Sequence, residues 1–244
     1  MSSVDSPALQ VLLGLDGAGR TEAWIADRPG CVVFAASESE AISGVPAAAA
    51  GYDELLRRWG LDGVWTAASG ARPAVQTEVR ILERVAVDED VVHGNTAAFF
   101  RWDAEPATSQ EIEATLTVLE RSRQELLGIL GGLKPDQWAQ RPGGGHRTVE
   151  EIVRHVGSAE WWYMSRIVDF PVPEDGYPQD PEALLTWIRE RVTSRLRSLT
   201  AEERARTTVP NPKSGERWTA RKVLRRLIYH ELYHIRQLRR AFPD

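Results

Sequence analysis

Apolar residues recur at two different periods along this chain. Between residues 9 and 15, Leu9, Val11, Leu13 and Leu15 alternate with other residues, and Asp16-Gly17-Ala18-Gly19 supplies a turn after them. That period predicts a strand. A second strand is predicted over residues 21–26, and the short apolar run at 31–36 reads as a covered third. Ser37 with Glu40 has the spacing of a capping box, so a helix should open there, run toward Trp59 and end at Gly60. Further strands are predicted over residues 74–87 and 96–102.

From Thr108 onward the period changes to that of helices. Thr108 and Glu111 form a second capping box, followed by Ile112, Leu116, Leu119, Leu126, Leu130 and Leu133 at three-to-four spacing. Lys134-Pro135-Asp136 breaks that helix, and Thr148 with Glu151 opens the next, which runs to about Ile167. Asp180-Pro181 starts a third helix, and a fourth begins near Trp218-Thr219 and ends near Ala241. The expected fold class is α+β in two domains. Residues 1–107 would form a small α/β unit and residues 108–244 an antiparallel four-helix bundle, joined by a polar linker at 103–107.

Composition narrows the function classes. A hydrophobic share of 42% and a charged share of 27% describe a folded globule. No apolar run approaches the roughly 20 residues of a membrane span, and the start of the chain lacks a secretory pattern, so a cytoplasmic protein is expected. Cys31 is the only cysteine, which excludes an internal disulfide and a cysteine-rich zinc cluster. The net charge of −5 is unevenly spread: residues 1–107 hold 8 basic and 16 acidic groups, residues 108–244 hold 22 and 19. The first half, at −8, is therefore a poor candidate for nucleic-acid contact.

The chemistry concentrates in the fourth helix. His230 and His234 of His230-Glu231-Leu232-Tyr233-His234 lie about 40° apart on one helical face, at the edge of an apolar arc. The arginines of that helix fall on the opposite face, which is expected to be solvated. His155, beside the arc of Ile152, Val156, Ala159 and Tyr163, is the third candidate ligand. Three neutral imidazoles from two helices can hold a divalent ion, zinc or nickel, and leave positions open for substrate. His146 competes with His155, but it sits in a glycine-rich loop, and a helix fixes geometry better. Tyr163 shares the His155 face and is the candidate substrate contact. His-Glu-x-x-His also matches the zinc-protease signature, whose structural context a helical bundle does not provide. Glu231 projects into the apolar arc; a partner or base beside the metal is the expected role, which makes it the candidate catalytic residue, and a structural ion pair with an arginine is the alternative. Glu160 lies similarly within its own arc.

Residues 108–242 resemble the DinB superfamily of metal-binding four-helix bundles. The resemblance is carried by Leu133-Lys134-Pro135-Asp136-Gln137-Trp138, by the stretch from Thr148 through His155, and by Glu216-Arg217-Trp218-Thr219-Ala220. It continues through His230-Glu231-Leu232-Tyr233-His234 and Leu238. It implies a histidine triad on His155, His230 and His234, and relatives that are metal-dependent hydrolases, thiol-dependent S-transferases or isomerases. Asp27-Arg28-Pro29-Gly30-Cys31-Val32 followed by Ser37-Glu38-Ser39-Glu40-Ala41 resembles the HicB-type fold of toxin–antitoxin systems, over residues 9–60. Antitoxins of that type add a DNA-binding segment, which this chain replaces with the helical half.

The expected function is that of a metal-dependent enzyme acting on a small molecule, a hydrolase or a transferase using a low-molecular-weight thiol. The alternative is a regulatory module, in which the HicB-like half recognises a protein partner and the bundle is a metal-stabilised scaffold or homodimerisation element.

Overall fold

The computed structural model describes residues 8–65, 78–91, 97–172 and 176–243. Its first half holds β1 (Leu9–Asp16), β2 (Thr21–Ile25), β3 (Val32–Ala35), α1 (Glu38–Arg58) and β4 (Val79–Val87). The sheet order is β3-β2-β1-β4, antiparallel except for β1 against β4. Ser37 caps α1 by accepting from the Glu40 N–H at 3.3 Å, as the spacing predicts.

Two expectations for this half need correction. The run at 31–36 reads as covered, but β3 is an edge strand whose four residues are only partly buried. The strand expected over 96–102 is absent: residues 97–100 are irregular and Arg101–Ala104 forms one helical turn, α2. Residues 74–77 and 96, at the edges of the predicted strands, lie outside the described residues.

Alternation along the strands divides the sheet into two apolar faces. Leu9, Val11, Leu13, Ala23 and Ile25 belong to the core that includes Ala41, Val45 and Tyr52 of α1. Leu12 pairs with Trp24, and these residues with Phe34 belong to a second cluster that includes Tyr229 of the last helix. The sheet is therefore covered on both sides, once by its own helix and once by the bundle.

The bundle comprises α3 (Ser109–Gly131), α4 (Val149–Ser165), α5 (Pro181–Arg197) and α7 (Ala220–Ala241), with a short α6 (Ala201–Ala205) before α7. Reciprocal capping boxes at Thr108/Glu111 and Thr148/Glu151 open α3 and α4. The helices are not uniformly antiparallel. Glu111 meets Arg221 and Glu125 meets Arg239, so α3 and α7 run the same way. His155 lies against His230 while Tyr163 lies against Trp218, so α4 opposes α7. Glu113 meets Arg197 and Arg123 meets the Leu185 carbonyl, so α5 opposes α3. The order is up-down-down-up. It requires the chain to return along the bundle between α4 and α5, where the proline-rich residues 171–179 lie.

The first turns of the basic face of α7, expected to be solvated, are buried beneath the second face of the sheet, whereas Arg236, Arg239 and Arg240 are exposed as expected. Lys222 is 0% exposed, and Arg225 and Arg226 are buried with it. Arg225 donates through Nε and one terminal nitrogen to Asp103, at 2.8 Å each, and lies 4.4 Å over the Trp24 ring. Arg226 lies 5.0 Å over the Tyr229 ring. A helical wheel sees only one partner for a helix, whereas α7 has two. The expected linker at 103–107 is part of the same contact: Asp103 and Ala107 are buried, and the Asp103 carbonyl accepts from the Thr219 hydroxyl at 2.6 Å.

Gly30 lies at a tight contact between the two halves. Its φ of +87° suits glycine, and a Cβ there would fall 2.4 Å from Ile228 Cγ2. Gly30→Ala should therefore cost about 2 kcal/mol or more. A urea-unfolding midpoint equal to that of the parent would show that the halves are less tightly pressed.

Candidate metal centre

Two helices bring the three predicted imidazoles together. His155 projects from the middle of α4, and His230 and His234 project from successive turns of α7, where i,i+4 spacing stacks them on one face. His230 Nε2 and His155 Nε2 are 3.0 Å apart, and the ring centroids of the three histidines are 4.7–5.3 Å from one another. One ligand atom from each lies within 4.8 Å of the others. A tetrahedral ion with bonds of about 2.0–2.1 Å needs such nitrogens about 3.4 Å apart, so small rotamer changes suffice.

Electrostatics keeps these rings neutral, with lone pairs available. Burial lowers all three pKa values. His234 is brought to about 4, despite its hydrogen bond to Gln237. His230 falls well below its ordinary value, with His234 and His155 adding repulsion, and His155 is lowered further by Arg147. The Gln237 Oε1 lies 3.0 Å from His234 Nδ1, so the amide oxygen accepts the Nδ1 proton and leaves Nε2 free as a ligand. Gln237 is itself placed one helical turn after His234, and its Nε2 donates to the Pro142 carbonyl at 3.4 Å. Sequence reasoning passed over Gln237, although its i+3 spacing from His234 was visible.

The histidines open into a cleft of about 610 Å³ whose wall includes Trp162, Tyr163, Tyr229 and Tyr233. Tyr163 is buried, its ring centroid 5.9 Å from that of His230, and its hydroxyl is bonded by Arg226. Among the described residues, Arg147 is the one permanently charged group on this wall. His146 is exposed in the preceding loop, where its carbonyl accepts from Arg141, and it is not part of the cluster. His93 lies outside the described residues. Cys31 is buried in the sheet half with its thiol against the Ala48 carbonyl, and burial pushes that thiol up to about 12. It is not a nucleophile for this cleft.

Glu231 is expected beside the metal, but its surroundings are those of the ion pair. Its carboxylate points into the bundle core and accepts from Arg123 Nε at 2.6 Å, from Arg189 at 2.9 Å and from the Ser122 hydroxyl. Burial alone would raise its pKa, but the two guanidinium groups and Ser122 outweigh that and hold it at about 2. Glu160 joins the same network, accepting from Arg189 at 2.7 and 3.0 Å and from Arg123. A carboxylate committed to two arginines is a poor base. Its oxygens are not part of the cluster of candidate ligand atoms.

Residues 118–238 match the DinB superfamily, a span that contains all three histidines. A solved structure of YfiT from Bacillus subtilis is described as a probable metal-dependent hydrolase with an unusual four-helix bundle topology. It shares 22% identity with this chain, at a TM-score of 0.44, over 55% of this chain and 88% of that one. No curated protein matches.

Proposed function

We propose that this chain is a metal-dependent enzyme whose divalent ion is held by His155, His230 and His234. The observation that supports this most is the convergence of three neutral imidazoles on the floor of an open cleft, one of them oriented by Gln237. The donor set suits zinc or nickel. When bound, the ion would lower the pKa of a nucleophile, a water or a small external thiol, or polarise an electrophile. Around it, Gln237 holds the tautomer of His234, and the aromatic wall offers apolar surface beside the ion. Tyr163, its hydroxyl held by Arg226, provides a fixed surface for substrate. A thiol substrate would come from solution, because Cys31 is buried elsewhere. The resemblance of the sheet half to the HicB-type fold belongs to the same proposal: here that unit is a wall of an enzyme and not a regulatory module.

The test begins with metal content. His155→Ala, His230→Ala and His234→Ala should each abolish stoichiometric binding in equilibrium dialysis, whereas His146→Ala and His93→Ala should leave it intact. Gln237→Leu should weaken the affinity about 10–100-fold while sparing the fold. Full occupancy in His155→Ala would overturn the triad. Activity is then measured on a panel of esters and amides with and without added small thiol. Turnover that survives complete removal of the ion would overturn the metal-dependent reading.

A further inference from the structure

A second cleft adjoins the metal cleft. Tyr229 and Tyr233 line both, and the second, of about 470 Å³, lies between the sheet edge and the last turns of α7. Val32 and Phe34 of β3 form one wall of the second cleft, and Arg236 and Arg240, one helical turn apart, form part of the other. Among the described residues, no carboxylate lines either cleft.

The state of these two arginines distinguishes them from their neighbours. Arg221 pairs with Glu105 and Glu111, Arg225 with Asp103, and Arg239 with Glu125. Arg236 and Arg240 are exposed and make no salt bridge or hydrogen bond among the described residues. Two guanidinium groups on a concave wall, with aromatic low-dielectric surroundings and no acidic neighbour in the lining, focus positive potential into the cleft. Their forked donors suit the paired oxygens of a carboxylate or phosphate. Phe34, Tyr229 and Tyr233 offer flat apolar surface beside them.

We propose that the substrate is an organic anion with a flat apolar body: its anionic group is held by Arg236 and Arg240, and its reacting end lies at the histidines. Arg240 lies about 9 Å along α7 from His234 but about 240° around it, so the substrate has to pass over Tyr229 and Tyr233, which line both clefts. This rests on the metal-site reading for the reacting end but not for the anion grip. The sheet half then acquires a role, since β3 closes the cleft in which the anion sits.

The experiment is calorimetric titration of the metal-free full chain with phenyl phosphate, phenol and inorganic phosphate, in parallel with metal dialysis. Phenyl phosphate should bind about 10-fold or more tightly than either of the others, and R236A/R240A should lose about 10-fold or more of that affinity. The double variant should still take up metal like the parent. Absent binding of phenyl phosphate, equal binding of phenol or inorganic phosphate, or undiminished binding in the double variant each overturns the proposal. Because the titration is done without metal, failure of the histidine triad leaves its outcome readable. Normal metal uptake with no selectivity for phenyl phosphate defeats the anion grip alone.

Discussion

Glu231→Gln should cost about 3–5 kcal/mol of stability, because it removes one of two carboxylates from a buried cluster with two arginines. In the parent, Glu231 and Glu160 balance Arg123 and Arg189, and all four side chains are under 10% exposed. The amide would leave one guanidinium charge unbalanced in the core, far from water. For a chain of this size that loss lowers the melting temperature by roughly 10 °C. Metal bound per folded molecule should be unchanged, since the histidines are held by other contacts. Adding Arg123→Met to Glu231→Gln should recover part of the loss, by removing the surplus charge. A Glu231→Gln protein with the parent's melting temperature and a large fall in turnover would return Glu231 to the role of base.

The fragment beginning at Thr108 should fail to reach a cooperative native state. Residues 1–107 cover the first turns of the basic face of α7, and without them Arg225 loses Asp103, Thr219 loses its bond to the Asp103 carbonyl, and Ile228 and Tyr229 become exposed. Near-ultraviolet circular dichroism of the fragment should be weak, with helix content largely retained. Intact chain should resist proteolysis at 103–107 for the same reason. The boundary at residue 107 marks a change of architecture. A fragment that melts cooperatively within a few degrees of the full chain would make it a folding boundary as well.

What could be read from the sequence was local. The reciprocal caps at Thr148/Glu151 and Thr108/Glu111 span four residues each, and the pairing of His230 with His234 needs one turn of helix. His155 could be chosen over His146 because a position on a helix is fixed by its neighbours in sequence. The features that escaped depend on distant partners. Glu231 owes its role to Arg123, 108 positions away, and Arg225 owes its burial to Asp103, 122 positions away. Neither partner is visible in the helical wheel of α7. The up-down-down-up order was hidden for a related reason: amphipathic periodicity says which face of a helix is buried but not the direction of its neighbours.

The placement of α7 also has a consequence for how the chain is made. Synthesis runs from the amino end, so α7 leaves the ribosome after every other described element. Until it arrives, the sheet face of Leu12, Trp24 and Phe34 lacks its cover, and Glu160 and Arg189 lack their fourth partner Glu231. The nascent chain can close β1 to β4 over α1 early, but it carries an open aromatic surface through the rest of translation. Completion is thus a single late event, in which one helix seals the sheet, neutralises the bundle core and delivers two of the three histidines at once.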